Sequence, residues 1–163
     1  MRNIAAVLWL AAALLAVQPV RAASKPSDVT DMQALRSAVR ADKKAFVASQ
    51  LDLTPLEAKR FWPVYDEYQR HLDLANRRRV VALEGLLADD KPRSDLYAKT
   101  LATELIAADE AEVKARRTLQ NRLMRGVPNR ILPPKKAARY LQLEWKIRAI
   151  QSYDAAETVP LIK

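Results

Sequence analysis

Leu53-Thr-Pro-Leu-Glu-Ala-Lys-Arg-Phe61 decides the fold, because this stretch carries the signals that start an α-helix. Thr54 can cap the helix N-terminus, and Pro55 fits the first helical position. Glu57 stands three residues after the cap, where a capping-box carboxylate reaches back to the cap residue. The sequence therefore predicts a helix that begins at Pro55.

A weaker copy of this start lies 79 residues further along, at Leu132-Pro-Pro-Lys-Lys-Ala-Ala-Arg-Tyr140. The copy keeps a leucine at Leu132 and a proline at Pro134, but it lacks the threonine and the acid of the capping box. Phe61 of the first stretch corresponds to Tyr140 of the second. Two helices with a shared start indicate an all-α protein with a repeated plan, and they do not indicate an enzyme.

Apolar residues recur at helical spacing along the rest of the chain, and no stretch alternates with period two for long enough to predict a strand. Asp89-Asp-Lys-Pro-Arg93 separates two of the periodic segments, and Gly126 and Pro128 close another. We predict an all-α fold of four long amphipathic helices, which cover about 31–50, 55–87, 95–124 and 134–156.

These helices are long for the core that they could bury. A helix of about 30 residues extends about 45 Å, which exceeds the needs of a compact bundle of this size. We therefore expect an extended or bent bundle, or a cradle, that is completed by dimerisation. The alternative is an ordinary up-down bundle. Pro63 stands inside the second predicted helix, and we expect it to bend that helix.

The N-terminal segment has the pattern of an export signal. Arg2 precedes an uncharged apolar run from Ile4 to Val17, and small residues surround a cleavage position before Ala23. The run is short for a membrane span, which takes about 20 residues. We expect residues 1–22 to be a signal peptide, 23–29 a disordered lead and 30–163 a single helical domain. An uncleaved N-terminal anchor is the alternative for the first segment.

Several classes of function are not expected from the composition. The chain has no cysteine, and its two glycines, Gly85 and Gly126, cannot form a glycine-rich phosphate loop. His71 is the sole histidine, so no ligand cluster for a transition metal is expected. Acidic pairs such as Asp109-Glu110 diverge by about 100° on a helix and cannot face one substrate. We expect no catalytic residues, no metal and no cofactor.

Positive charge and aromatic residues indicate binding instead. The formal net charge of +9 becomes +7 without residues 1–22, which favours anionic partners such as acidic polypeptides, lipid head groups or lipopolysaccharide. Nucleic acid is not expected as a partner of an exported protein. The alternative is that these cations are solvated helix positions with local partners, such as Glu112 with Arg116, and that the aromatic residues belong to the core. The candidate partner-binding residues are Trp62, Tyr65, Arg77, Arg78, Arg79, Arg116, Arg117, Arg139 and Trp145.

The two helix starts, Leu53-Thr-Pro-Leu-Glu57 and Leu132-Pro-Pro-Lys-Lys136, resemble degenerate forms of the repeated LTxxQ motif of the Spy/CpxP family. This family comprises small exported helical proteins of the bacterial envelope, and the resemblance covers roughly residues 30–155. Glu57 replaces the glutamine of the motif, and the second copy has neither the threonine nor the glutamine. The resemblance implies a periplasmic antiparallel dimer whose bent helices form a thin cradle.

The same resemblance implies a function. Characterised members hold unfolded polypeptides on an apolar and positively charged concave surface without ATP, whereas others damp an envelope-stress sensor kinase or bind transition metals. We expect ATP-independent periplasmic binding of non-native or partner polypeptides by a homodimer. A dedicated regulator that docks on an envelope sensor kinase is one alternative. A basic helical protein that associates with an anionic membrane or lipopolysaccharide surface is another.

Overall fold

The computed structural model describes residues 31–88 and 91–163, which form four α-helices and no strand. The predicted all-α fold is confirmed, and each predicted helix end lies within two residues of the observed one. The expected signal peptide, residues 1–22, and the expected lead, residues 23–29, lie outside the described residues. The helices are α1 (Met32–Leu51), α2 (Pro55–Ala88), α3 (Asp95–Leu123) and α4 (Pro134–Thr158).

Short-range hydrogen bonds explain where three of the helices begin. The capping box of α2 is formed: Thr54 N donates to Glu57 Oε2 over 2.8 Å, and Glu57 N donates to Thr54 Oγ1 over 3.3 Å. The Asp31 carboxylate caps α1, and the Ser94 hydroxyl caps α3. In contrast, α4 begins at Pro134 with no side-chain cap, as the weaker second copy of the start predicts.

The helices are arranged as two antiparallel pairs, α2 with α3 and α1 with α4. Ion pairs join positions that run in opposite directions along each pair, which fixes the antiparallel sense. The ion pairs are Glu67 with Arg122 and Arg79 with Asp109 between α2 and α3, and Arg36 with Asp154 and Lys43 with Glu144 between α1 and α4.

The main core lies where both pairs meet. It is built from the N-terminal half of α2, the C-terminal part of α3, and the facing sides of α1 and α4. The predicted apolar stripes supply most of these side chains, so burial follows the helical periodicity. The core residues are Leu35, Phe46, Val47, Leu51, Phe61, Tyr65, Tyr68, Leu72, Ala115, Leu119, Leu123, Leu132, Ala137, Tyr140, Leu143, Ile147 and Ile150.

The rest of α2 and α3 lies outside this core, and we call residues 73–88 and 91–114 the distal hairpin. Its buried apolar side chains, among the described residues, are Ala75, Leu83, Leu101 and Ala108. These are few and mostly small, so the two helices cover little apolar surface between them. The large apolar side chains that this segment exposes are Leu74, Val80, Val81, Leu87, Leu96, Ile106 and Val113.

The interruption of helical geometry lies in α1 and not at the proline of α2. Asp42 has φ −162° and ψ 100°, and its carboxylate accepts a 2.9 Å hydrogen bond from Ala45 N, which restarts the helix. Pro63 lies inside α2, which continues as one helix from Pro55 to Ala88. The neighbouring residues of Pro63 are packed into the core, and this packing holds the helix together on both sides of it.

Candidate functional site

The two helix starts contact each other at equivalent positions. Lys136 Nζ donates to Glu57 Oε2 over 2.6 Å, and these residues hold the same place in the two copies. The rings of Phe61 and Tyr140, also equivalent, meet edge to face with centroids 4.9 Å apart. Contacts between equivalent positions are the mark of a local two-fold relation. The pairing was not expected, because sequence similarity between two segments does not reveal that they touch.

The motif residues lie in the core or in the first turns of α2 and α4. Leu132 is buried in the core, Leu53 packs against it, and Pro55 and Pro134 occupy the exposed first turns of α2 and α4. The hydrogen bond from Lys136, together with that from the Thr54 backbone, holds the pKa of the Glu57 carboxyl below its ordinary value.

Aromatic side chains next to the first helix start form one contact cluster in the core. Tyr65 is only 3% exposed, so this candidate partner contact is corrected: the side chain packs against Phe61 and Tyr140 and cannot reach a partner. Burial raises the pKa of the Tyr65 and Tyr140 phenols. Trp62 is half-buried, and the Lys44 ammonium lies 5.2 Å from its ring centroid.

The Arg77-Arg-Arg79 run divides between two roles. Arg79 donates to Asp109 over 2.7 Å and to Glu112 over 3.3 Å, and Arg78 pairs with Glu104. These two arginines join α2 to α3, and their guanidinium groups are already paired with carboxylates of α3. Arg77 is exposed, and it stands beside a shallow surface groove of about 420 Å³ that Val81, Tyr97 and Leu101 also line.

A second groove brings together three of the candidate residues. It lies between α3 and α4, with α2 as its floor, and its volume is about 370 Å³; we call it the α3–α4 groove. Arg116 and Arg117 come from α3, and Trp145, which is 66% exposed, comes from α4. Arg139 lies elsewhere, where it donates to Gln50 on α1 over 3.3 Å.

The two α3 arginines of this groove have no ion-pair partner among the described residues. The alternative pairing of Arg116 with Glu112 is wrong. Glu112 instead accepts from Arg148 of α4 over 2.7 Å and from Arg79 of α2 over 3.3 Å, which joins three helices. The guanidinium groups of Arg116 and Arg117 are therefore available to a ligand.

The floor of the α3–α4 groove holds a buried carboxylate that sequence reasoning missed. Glu144 is 3% exposed, and its Oε1 accepts from Lys43 Nζ over 3.1 Å. Glu144 Oε2 and the Tyr68 hydroxyl are buried without a hydrogen-bond partner in the structure. The signal was in the sequence: Glu144 lies four residues after Tyr140 and three before Ile147, inside an apolar stripe.

Comparisons with protein-family models, curated proteins and solved structures find no match to this chain. Within the described residues, no group of three or more His, Asp or Glu side chains is placed to hold a metal ion. In the same part of the chain, no helix is both long enough and apolar enough to span a membrane.

Proposed function

We propose that this protein binds non-native or partner polypeptides in the periplasm without ATP, as a divergent member of the Spy/CpxP family. The observation that carries the proposal is the apolar surface of the distal hairpin. Leu74 and Val81 are 63% and 65% exposed, and their spacing of seven residues places them on one face of α2. Arg77 lies between them on the chain, exposed, at the edge of the 420 Å³ groove.

This combination suits weak and promiscuous capture. The excess of cationic side chains raises the rate of encounter with acidic segments of a non-native chain. Exposed leucine and valine side chains then prolong contact with apolar segments, which a folded protein would keep inside. The positions are on helices and need no rearrangement to be reached. Binding and release would therefore require no energy source.

Aggregation of a reduced, unfolded test protein measures this activity directly. Light scattering is followed with and without the purified protein, in the absence of nucleotide, over a series of salt concentrations. We expect suppression at near-stoichiometric ratios that weakens as salt rises, because salt screens the charges. If the folded protein gives no suppression at several-fold excess, general polypeptide binding is contradicted and a search for one specific envelope partner follows.

Variants locate the activity on the distal hairpin. We expect Leu74→Ser combined with Val81→Ser to reduce suppression several-fold, because the apolar contacts are removed while the charges remain. Val127→Ser is the matched control, since Val127 is 76% exposed but lies beyond the end of α3. Equal losses in the double variant and the control would contradict the assignment of this surface. Circular dichroism checks that each variant remains helical.

A further inference from the structure

Positive charge is concentrated towards one end of the bundle, where α1 and α3 end and α2 and α4 begin. Residues 115–143 contain eight Lys and Arg residues and no Asp or Glu. The distal hairpin carries seven cations and seven acids, and the charges of the other described residues nearly cancel as well. We call residues 52–60 and 124–139 the basic end.

Contacts between the helix ends bring the cations of the basic end onto one surface. Arg60, near the start of α2, donates from Nη1 to the Arg130 carbonyl over 3.3 Å, which joins α2 to the loop between α3 and α4. Lys136 Nζ donates to the Asp52 carbonyl over 2.6 Å, which joins α4 to the end of α1. The cationic side chains that are exposed here, with no ion-pair partner among the described residues, are Lys59, Arg60, Arg125, Arg130, Lys135 and Arg139.

Exposed apolar side chains stand among these cations. Leu56, in the first turn of α2, is 59% exposed, and Met124 and Val127, just after α3, are 73% and 76% exposed. Met124 and Val127 lie on either side of Arg125 in the sequence. A surface that combines exposed apolar side chains with uncompensated positive charge fits the boundary between anionic lipid head groups and acyl chains.

We propose that the basic end docks on a bilayer that contains anionic phospholipid. The lysine and arginine side chains pair with head-group phosphates, while Leu56, Met124 and Val127 enter the acyl boundary. The 34 residues of α2 extend about 50 Å, so the distal hairpin is held away from the bilayer. This proposal does not depend on polypeptide binding by the hairpin, because the two surfaces share no residue and lie at opposite ends of α2.

An acidic polypeptide would satisfy the charges of the basic end but not its apolar side chains. An acidic segment is strongly hydrated and offers Leu56, Met124 and Val127 no apolar partner. The cations also come from α2, from the loop and from α4, without a regular spacing that one extended chain could follow. Lipids diffuse laterally, so anionic head groups can gather under each cation separately. Both features favour a bilayer.

Flotation of the full protein with phospholipid vesicles tests the proposal. We expect saturable binding to vesicles of phosphatidylcholine mixed with phosphatidylglycerol, and binding at least about tenfold weaker to phosphatidylcholine alone. Binding should weaken as salt rises. Equal binding to both vesicles, or no binding to either, would overturn the proposal. Complete displacement by soluble polyglutamate at an equal concentration of negative charge would also overturn it, and would assign the basic end to acidic polypeptides.

Charge variants locate the binding on the basic end. Arg125→Gln combined with Lys135→Gln is expected to weaken binding to the anionic vesicles about tenfold. Lys99→Gln combined with Lys114→Gln is the matched control, which removes the same charge from exposed positions of the distal hairpin and should retain the binding. Circular dichroism checks that both variants remain helical. Equal losses would show that only net charge matters, and undiminished binding of the first variant would place the contact elsewhere, for example on the apolar N-terminal segment; either result would overturn the site.

The apolar part of the contact is tested by a pair of methionine variants. Met124→Ser is expected to weaken vesicle binding several-fold, because its side chain no longer enters the acyl boundary. Met32→Ser is the control, since Met32 is 43% exposed but lies at the start of α1, away from the basic end. Equal binding by the two variants would contradict insertion of the loop after α3.

Discussion

At the residue scale, Glu57 links local helix capping to tertiary structure through one carboxylate. It accepts from Thr54 N within its own helix and from Lys136 Nζ of the other helix start. Both hydrogen bonds favour the ionised form of the carboxyl group. In the folded protein the pKa of Glu57 therefore lies below its ordinary value of 4.5. The stabilisation is present when the pH is well above 4.5, and it is lost as the pH falls through the lowered pKa.

We therefore predict that Glu57→Gln, which can still accept from Thr54 N, loses part of the acid dependence of stability. The free energy of unfolding, measured with urea at neutral pH and at successively lower pH, should fall by about 0.5 kcal/mol less in Glu57→Gln than in the unsubstituted protein. Glu110→Gln is the control, because Glu110 is an exposed carboxylate on α3 without an ion-pair partner in the described chain. Equal acid dependence in both variants would contradict this role of Glu57.

Residues whose role depends on neighbours within one helical turn could be predicted, and the others could not. The capping box of Thr54 and Glu57 requires only local spacing. Other features depend on which helix lies opposite, and the periodicity of one segment does not specify this. They are the ion pairs of Arg79, the burial of Tyr65 and the lack of an ion-pair partner at Arg116. Burial of Glu144 could have been inferred from its place in an apolar stripe, but its partner Lys43 comes from α1, 101 residues away.

At the scale of helices, capping residues and apolar stripes predicted all four elements. Both patterns depend only on residues within a few helical turns of each other in the sequence. The residue with non-helical angles, Asp42, lies in α1, whereas α2 continues as one helix through its proline. Pro63 removes one backbone donor, but the packing of Phe61 and Tyr65 around it maintains the helix. Asp42 breaks α1 although aspartate is compatible with a helix, since its side chain caps the segment that follows.

The packing of α2 against α3 in the distal hairpin depends on Gly85. A Cβ atom at this position would lie 2.5 Å from Tyr97 Oη and 2.9 Å from Tyr97 Cε2. The ring is held in place, because its hydroxyl donates to Ala82 O over 3.3 Å and the Arg93 guanidinium lies 5.5 Å from its centroid. Glycine is needed here for the close approach of the two helices.

We predict that Gly85→Ala lowers the free energy of unfolding by about 2 kcal/mol, despite the better helix propensity of alanine. In a Tyr97→Ala background the same substitution should cost nothing, since the clash is absent. Urea denaturation of the single and double variants measures both quantities. Gly126→Ala is the control, as a Cβ there meets nothing within 4 Å. A loss that persists without the Tyr97 ring would contradict the steric explanation.

At the scale of the whole molecule, the distal hairpin explains why a second copy is expected. Beyond the main core, α2 and α3 bury few side chains between them, while a second stripe formed by Val80 and Leu87 remains more than half exposed. Neighbouring positions on a helix diverge by about 100°, so this stripe differs from that of Leu74 and Val81. Large apolar side chains that stay exposed on the surface of a small protein commonly mark an interface.

We therefore predict a homodimer in solution, with the stripe of Val80 and Leu87 at its interface and that of Leu74 and Val81 left free. Light scattering after size-exclusion chromatography should give about twice the mass of one chain. Val80→Asp should shift the equilibrium to the monomer, because dimerisation would then bury an unpaired charge. Val127→Asp, which adds the same charge at a 76% exposed position outside the hairpin, should leave the mass unchanged. A monomer at every concentration would contradict the dimer, and a dimer that withstands Val80→Asp would place its interface on another surface.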